Sequence, residues 1–244
     1  MALKAVANRV FAETHGSWPP RVIALHGWGR RGADFDSVLA GLDAIAVDLP
    51  GFGASPVPEG ALGARGYARL LAPVLDPLGE PPILVGHSFG GTVAVCLASA
   101  APVAGLVLTG VPLIRRPPAR PAASFRLLRL ANRIGLVSDE RMERERRTRG
   151  SADYRATSGV MREILVMAVN ESYEAELAAV TAPVALVWGA EDGEVRVSVA
   201  EAAKALLESR HVPVELSVLP GVGHFVPTQD PSALRRAIDA MLGR

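Results

Sequence analysis

The sequence predicts an α/β fold in which a mostly parallel central sheet is flanked by helices and carries an all-helical insertion. Two observations support this prediction. Apolar runs of strand length alternate with amphipathic segments of helix length, and most of the apolar runs are uninterrupted by polar residues. Uninterrupted apolar strands are typical of sheets covered on both faces. Repeated strand–helix units imply parallel strands joined by right-handed crossovers.

Six apolar runs are predicted as the strands of this sheet, at residues 21–26, 44–48, 82–87, 103–108, 184–188 and 212–219. A further run at residues 6–13 is expected to add one antiparallel edge strand. The helices between the strands are predicted from amphipathic spacing at residues 34–42, 66–78, 89–101, 197–209 and 231–242.

One long segment, residues 112–180, interrupts this alternation. It contains three or four helical patterns and no strand pattern, and four prolines at positions 112, 117, 118 and 121 mark its beginning. We therefore predict a core formed by residues 1–111 and 181–244, with residues 112–180 as a helical cap inserted between two strands of the sheet.

Composition narrows the functional class. The 244 residues include 26 basic and 25 acidic side chains, and this net charge of +1 does not favour binding to nucleic acid or to an anionic membrane. The single cysteine, Cys96, cannot form an intramolecular disulfide, and we interpret it as a small core residue. The five histidines lack the spacing of metal ligands, so we do not expect a metal site. We expect no cofactor either. The sequence shows neither a signal-peptide core nor an apolar stretch of about 18 residues, so we expect a cytoplasmic protein. We expect it to be a monomer or a homodimer.

The strongest motif is GHSFGG at residues 86–91, which follows a predicted strand and opens a predicted helix. Small residues at positions 86 and 90 permit the sharp turn that projects a nucleophile above the sheet edge, which makes Ser88 the candidate nucleophile. The dipole of the following helix favours negative charge that develops there. The alternative is a glycine-rich turn whose serine only caps the helix.

A serine nucleophile needs a base, and the base needs an acid that orients it. His224, in GVGHF after the last predicted strand, is the candidate base, and Asp192, in GAED after the strand at 184–188, is the preferred acid. Acids near these positions stay open as alternatives to Asp192, namely Glu191, Glu194 and Asp230. Two other histidines, His15 and His211, are expected at the surface, whereas His26 and His87 are expected to flank the site without acting as the base.

A tetrahedral oxyanion needs hydrogen-bond donors. We predict two backbone N–H groups, that of Phe89, directly after the nucleophile, and that of Trp28, in the loop that follows the strand at residues 21–26. The glycines on either side of Trp28 would let the backbone of this loop approach a substrate closely.

Five motifs in order, LHGWG (25–29), DLPGFGAS (48–55), GHSFGG (86–91), WGAED (188–192) and GVGHF (221–225), resemble the α/β-hydrolase superfamily and its short esterase-like members. The resemblance implies an α/β-hydrolase fold with a helical cap. It also implies that Ser88 is the nucleophile, His224 the base and Asp192 the acid, in the chain order of that superfamily. The DLPGFG turn is interpreted as structural.

The predicted cap is basic. Thirteen arginines and five acidic residues between positions 112 and 162 give it a net charge of +8, so the rest of the chain carries −7. Pairs such as Glu140/Arg144 indicate a solvated helical face. Arg126, Arg129 and Arg133 instead form a stripe without nearby acids, which could dock an acidic partner such as a carrier protein, or an anionic substrate tail. On the apolar side of the cap, Leu113, Met161 and Leu165 are expected to line the substrate pocket.

These observations predict a cofactor-free serine carboxylesterase that cleaves small to medium acyl esters through an acyl-enzyme. One alternative is a methyl ester esterase acting on an acyl chain bound to a carrier protein, because LHGWG, DLPGFG and a basic cap resemble the esterases of biotin synthesis. Two others are a carbon–carbon bond hydrolase with the same triad and a hydrolase-fold scaffold with little turnover. A dehalogenase or epoxide hydrolase is disfavoured because position 88 holds serine and not a carboxylate.

Overall fold

A computed structural model describes residues 2–7, 9–114, 128, 130–134, 136–149 and 152–243. Within these ranges eight strands form a single sheet: β1 (Ala2–Ala7), β2 (Val10–His15), β3 (Val22–Leu25), β4 (Ala44–Asp48), β5 (Ile83–His87), β6 (Gly105–Thr109), β7 (Val184–Gly189) and β8 (Val214–Leu219). Their order is β1-β2-β4-β3-β5-β6-β7-β8. The β1–β2 and β2–β4 pairs are antiparallel and all others are parallel. The predicted mostly parallel sheet is therefore confirmed.

The prediction of one edge strand at residues 6–13 is wrong, because two strands lie there. β1 and β2 form an antiparallel hairpin, and Arg9, which lies in the turn between them, has a φ of +66°. Most of β1 is exposed, so its residues do not show the buried apolar pattern on which the prediction depended.

Helices connect the strands on both sides of the sheet. They are α1 (Asp36–Leu39), α2 (Ala64–Leu71), α3 (Ser88–Ala98), α8 (Val197–Ser209), α9 (Val226–Gln229) and α10 (Pro231–Leu242), with α4 to α7 introduced below. The helices predicted at residues 197–209 and 231–242 have the predicted bounds. The helix predicted at residues 66–78 ends at Leu71 and continues as two 3-10 turns. Pro73 and Pro77 lie in those turns, and a proline lacks the N–H that α-helical bonding requires.

Two apolar layers cover the sheet, one on each face. On one face, residues of β3 and β4 such as Leu25 and Val47 pack with α2, α3 and α8. On the other face, Val22 and Ala46 pack with α1 and α10. This burial on both faces explains why the parallel strands consist of uninterrupted apolar residues.

The described part of the predicted cap is helical. Between β6 and β7 it contains α4 (Asp139–Arg149), α5 (Ala152–Ala156), α6 (Gly159–Asn170) and α7 (Glu174–Ala179), and the structure describes no strand there. In the predicted basic stripe, Arg133 is exposed, whereas Arg126 and Arg129 lie outside the described residues. None of the helices in the described ranges is long and apolar enough to cross a membrane.

Candidate active site

Ser88 lies at the junction of β5 and α3, in the turn that the GHSFGG motif predicts. Its φ of +49° places it in the left-handed region, which a residue with a side chain rarely occupies. Gly90 fits this turn because a side chain there would run into the carbonyl oxygens of Leu25 and His26. The strained junction therefore presents the Ser88 side chain at the carboxyl edge of the sheet, where open α/β sheets place their sites.

The predicted oxyanion donors lie beside Ser88. Phe89 is the second residue of α3, and the first N–H groups of a helix have no partner within it. Trp28 lies in the loop after β3, and its ring contacts that of Phe89 edge to face at a centroid distance of 5.5 Å. Both residues line the same cavity as Ser88. The two predicted N–H donors thus come from neighbouring segments of one wall.

His224 and Asp192 form a buried hydrogen-bonded pair. Nδ1 of His224 lies 2.8 Å from Oδ2 of Asp192, and both residues are less than a tenth exposed. Oδ1 of Asp192 accepts hydrogen bonds from the backbone N–H groups of Glu194 at 2.9 Å and Val195 at 2.8 Å. Burial would raise the pKa of Asp192, but its hydrogen bonds with His224 and with these amides outweigh burial and lower that pKa. Asp192 is therefore held as the carboxylate that an imidazole base needs behind it.

A second acid lies on the other side of the same imidazole. Oε2 of Glu194 is 3.5 Å from Nε2 of His224, and the Glu194 side chain is 62% exposed. If His224 is the predicted base, Nε2 is the nitrogen that would exchange a proton with Ser88. Glu194, one of the sequence alternatives to Asp192, is thus placed to contact the reacting side of the ring and not its back.

His87 and Gly110 support His224, and sequence reasoning gave neither of them this role. The Nε2–H of His87 donates to the backbone carbonyl of His224 at 3.0 Å. Burial and the neighbouring His224 lower the pKa of His87 to about 3, so its imidazole is neutral. Gly110, just after β6, has a φ of +59°, and a Cβ there would lie 2.8 Å from Cε1 of His224. The only sequence signal for Gly110 is a glycine directly after a strand.

His26 holds the loop that carries Trp28. Its Nε2 accepts the backbone N–H of Leu49 at 3.0 Å, so the proton is on Nδ1, which donates to the carbonyl of Gly27 at 2.7 Å. Burial lowers the pKa of this fully buried imidazole. His26 is therefore a neutral residue that supports the loop beside the cavity.

A cavity of about 450 Å³ joins these groups, and Ser88, His224, Trp28 and Phe89 all line it. This volume falls within the range of small-molecule sites. Helix α6 forms an apolar part of the wall with Leu165, Ala168 and Val169. A carbonyl carbon bound there would have a hydroxyl and an imidazole around it, beside the two residues predicted to supply N–H donors, and acyl transfer requires such groups.

Of the three residues predicted for the substrate pocket, Leu165 lies on the wall of this cavity. Leu113 is fully buried in the core, and neither it nor Met161 is among the described residues that line the cavity. Met161 instead packs against Gly51, where an added side chain would meet its sulfur. Helical spacing identified apolar side chains in this segment but could not separate those that face the cavity from those that pack elsewhere.

Charged side chains also line the cavity, and most of them are acidic. They are Asp153, Glu171, Glu194 and Arg30. Arg30 pairs with Asp34, its Nε lying 2.5 Å from Oδ2, and its guanidinium lies 5.2 Å from the centroid of the Phe225 ring. The basic charge of the predicted cap is therefore not repeated on the described cavity wall.

The remaining histidines and the cysteine lie apart from this cavity. His211 is exposed as predicted, but the prediction of a surface position for His15 is wrong, because His15 is only 6% exposed. Cys96 is buried, and burial raises the pKa of its thiol to about 12, which agrees with its interpretation as an unreactive core residue.

Comparison with known proteins finds one family model that matches most of the chain. A sequence model of the alpha/beta hydrolase family matches residues 22–237. An esterase of Mycobacterium tuberculosis is 42% identical over 111 residues, which are 43% of this chain and 37% of that protein. The pimeloyl-[acyl-carrier protein] methyl ester esterase of Vibrio parahaemolyticus is 37% identical over 87 residues, 34% of this chain and 32% of the relative. These alignments thus span about a third of each relative.

Solved structures with a similar fold superpose on nearly the whole chain. The crystal structure of the mycobacterial esterase superposes with a TM-score of 0.67 and 25% identity, covering 100% of this chain and 91% of the other. A thioesterase domain from the curacin biosynthetic pathway superposes with a TM-score of 0.69 and 20% identity, covering 98% and 99% of the two chains, and shows likeness of fold alone.

Proposed function

Since the chain belongs to the alpha/beta hydrolase family, we propose that it is a serine carboxylesterase acting on small to medium acyl esters. The observation that carries this proposal is one cavity lined by both Ser88, at a strained strand-to-helix turn, and His224, hydrogen-bonded to Asp192. The esterases among the relatives support the same reaction class.

In the proposed mechanism, Ser88 Oγ attacks the ester carbonyl while Nε2 of His224 takes its proton. The N–H groups of Phe89 and Trp28 stabilise the oxyanion, and the imidazolium formed at His224 is stabilised by Asp192. His224 then returns the proton to the leaving alcohol, so that the acyl group remains on Ser88. A water molecule, deprotonated by His224, hydrolyses this acyl-enzyme.

The test combines covalent labelling with an ester series. A fluorophosphonate probe should label the wild type and the Ser209→Ala variant, which removes an exposed serine on α8, but not Ser88→Ala. Nitrophenyl esters of increasing acyl length should be cleaved with a rate maximum at short or medium chains, because the cavity is limited in volume. Loss of Ser88 should reduce kcat by about 10⁴-fold or more. Labelling of Ser88→Ala, or turnover that survives this change, would refute the proposal.

A second candidate is hydrolysis of a methyl ester on an acyl chain borne by an acidic carrier protein. The named relative from Vibrio parahaemolyticus and the net charge of +8 between residues 112 and 162 favour it. The described arginines Arg133, Arg141 and Arg144 are exposed and so are available to an acidic partner. The acidic side chains on the cavity wall would not attract such a partner, so docking would depend on the outer surface of this segment.

Charge reversal separates the two candidates. The triple change Arg126/Arg129/Arg133→Glu should lower kcat/KM for a carrier-bound methyl ester tenfold or more and leave a free nitrophenyl ester within about twofold. The matched control reverses three arginines outside this segment, Arg21, Arg69 and Arg210, all exposed. An equal loss on both substrates, or an equal loss from the control, would argue against carrier docking and leave the simple esterase proposal standing.

A further inference from the structure

Three potential metal ligands meet on the sheet away from Ser88, although nothing in their sequence spacing predicts this. Glu13 and His15 are two residues apart on β2 and so point to the same face of the sheet. Asp36, the first residue of α1, lies over that face. One ligand atom from each of the three side chains lies within 4.8 Å of the other two.

His15 shows that this cluster is more than a group of surface acids. Its side chain is 5% exposed, and its Nε2 is buried without a hydrogen-bond partner. Oδ1 of Asp36, 3.5 Å from that nitrogen, is also buried and unpartnered. A buried polar atom without a hydrogen-bond partner costs about 1–3 kcal/mol. His15 Nε2 and Asp36 Oδ1 face each other as a long ion pair, so a group that binds both atoms would reduce this cost.

The separation of His15 and Asp36 fits a cation between them, and Glu13 lies within 4.8 Å as a third ligand. Bonds from zinc to imidazole nitrogen and carboxylate oxygen are about 2.1 Å, so two ligands of a tetrahedral ion lie about 3.4 Å apart. The separation of 3.5 Å between His15 Nε2 and Asp36 Oδ1 matches this value and is long for a hydrogen bond. An imidazole ligand favours zinc and similar transition metals over magnesium or calcium.

We infer that Glu13, His15 and Asp36 form a binding site for a divalent transition-metal ion such as Zn²⁺, with solvent as its fourth ligand. The ion would join β2 to α1, which continues from the loop that carries Trp28. Its role is structural, since the site is built from different residues than the cavity around Ser88.

The charges of the cluster agree with this assignment, because the carboxyl groups of Glu13 and Asp36 lie within 4.8 Å of each other. A divalent cation would remove the repulsion between the carboxylates and use the free nitrogen.

Calorimetric titration of the EDTA-treated chain with ZnCl₂ tests the site. We expect saturable binding that is weakened tenfold or more by each of Glu13→Gln, His15→Asn and Asp36→Asn. Zinc should raise the Tm of the wild type and leave that of His15→Asn unchanged. The matched control is His211→Asn, at an exposed histidine whose φ of +60° asparagine tolerates, and it should bind as the wild type does.

The His224→Asn variant tests whether zinc binds instead at the imidazole of His224. In the wild type Nε2 of His224 lies near Glu194, so a second ion could be held there. Zinc binding that persists in His224→Asn and is lost in His15→Asn supports the assignment, whereas binding unaffected by His15→Asn, or no saturable binding, overturns it. Should His15→Asn not fold, Glu13→Gln and Asp36→Asn decide the outcome in the same way.

Discussion

Two carboxylates lie beside the imidazole of His224, on opposite ring nitrogens. Asp192 faces Nδ1 at 2.8 Å, and two backbone amides hold its other oxygen. Glu194 faces Nε2 at 3.5 Å and is mostly exposed, so its charge is screened by solvent. In the proposed mechanism the buried carboxylate fixes the ring and stabilises the imidazolium, whereas the exposed one can only perturb the nitrogen proposed to exchange the proton.

The two roles differ in their expected effect on rate. Asp192→Asn should lower kcat by about 10²- to 10⁴-fold, because the amide cannot stabilise the imidazolium and favours the wrong tautomer. Glu194→Gln should change kcat by less than about fivefold, because the exposed carboxylate contributes little. Glu191→Gln, at an exposed neighbouring acid, serves as the control. Steady-state kinetics on one nitrophenyl ester measures all three, and a loss in Glu194→Gln as large as that in Asp192→Asn would contradict this assignment.

At the scale of elements, the end of β6 determines how close the backbone can come to His224. Gly110 adopts a left-handed conformation there, and a methyl group would lie 2.8 Å from Cε1 and 2.9 Å from Nδ1 of the imidazole. Backbone atoms cannot give way easily, so the ring would have to move. The strand end thus acts as a fixed wall behind the proposed base.

Gly110→Ala should therefore lower kcat by about 10- to 100-fold in a protein that still folds, because a displacement of the base by a fraction of an ångström misaligns proton transfer. The control is Gly41→Ala, which has the same kind of strain at a φ of +75° but no neighbour within 4 Å. The left-handed conformation should cost about 1 kcal/mol of stability in both variants, and the contact with the imidazole should add to this cost in Gly110→Ala. Kinetics measures the displacement of His224, and the Tm of both variants measures the loss of stability. Equal activity in the two variants would disprove that the end of β6 limits the position of His224.

Sequence patterns predicted the elements that show one regular pattern of apolar residues or a known motif. They missed the features that depend on tertiary contacts. The buried strands β3 to β7 were identified by apolar runs, and GHSFGG identified the turn at Ser88. The β1–β2 hairpin was missed because β1 is exposed on both faces. The pocket side of α6 and the meeting of Glu13, His15 and Asp36 were also missed, since neither helical spacing nor chain order shows which side chains a fold brings together.

At the scale of the whole molecule, the site depends on histidines that the fold keeps neutral. His26 and His87 are at most 2% exposed, and burial lowers the pKa of each. His26 donates to the carbonyl of Gly27 in the loop that carries Trp28, and His87 donates to the carbonyl of His224. The free energy of unfolding therefore depends on pH, because these imidazoles bind protons more readily in the unfolded chain than in the folded protein.

The linkage has a definite sign for His87. In the unfolded chain this imidazole takes up a proton near its ordinary pKa of 6.5, whereas in the folded protein it does so only at about 3. Between these values the unfolded chain binds more protons, so the free energy of unfolding should fall as the pH is lowered. His87 alone should contribute a slope that approaches about 1.4 kcal/mol per pH unit.

His87→Gln should remove this slope while keeping an N–H that can reach the carbonyl of His224. Urea unfolding of both proteins at about pH 6 and about pH 4.5 measures the difference, because the carboxylates and the other histidines are the same in both and cancel. The wild type should lose about 1 kcal/mol or more relative to the variant over this interval. A parallel loss in the two proteins would mean that His87 is protonated in the folded state, and its proposed role as a neutral support for His224 would then fail.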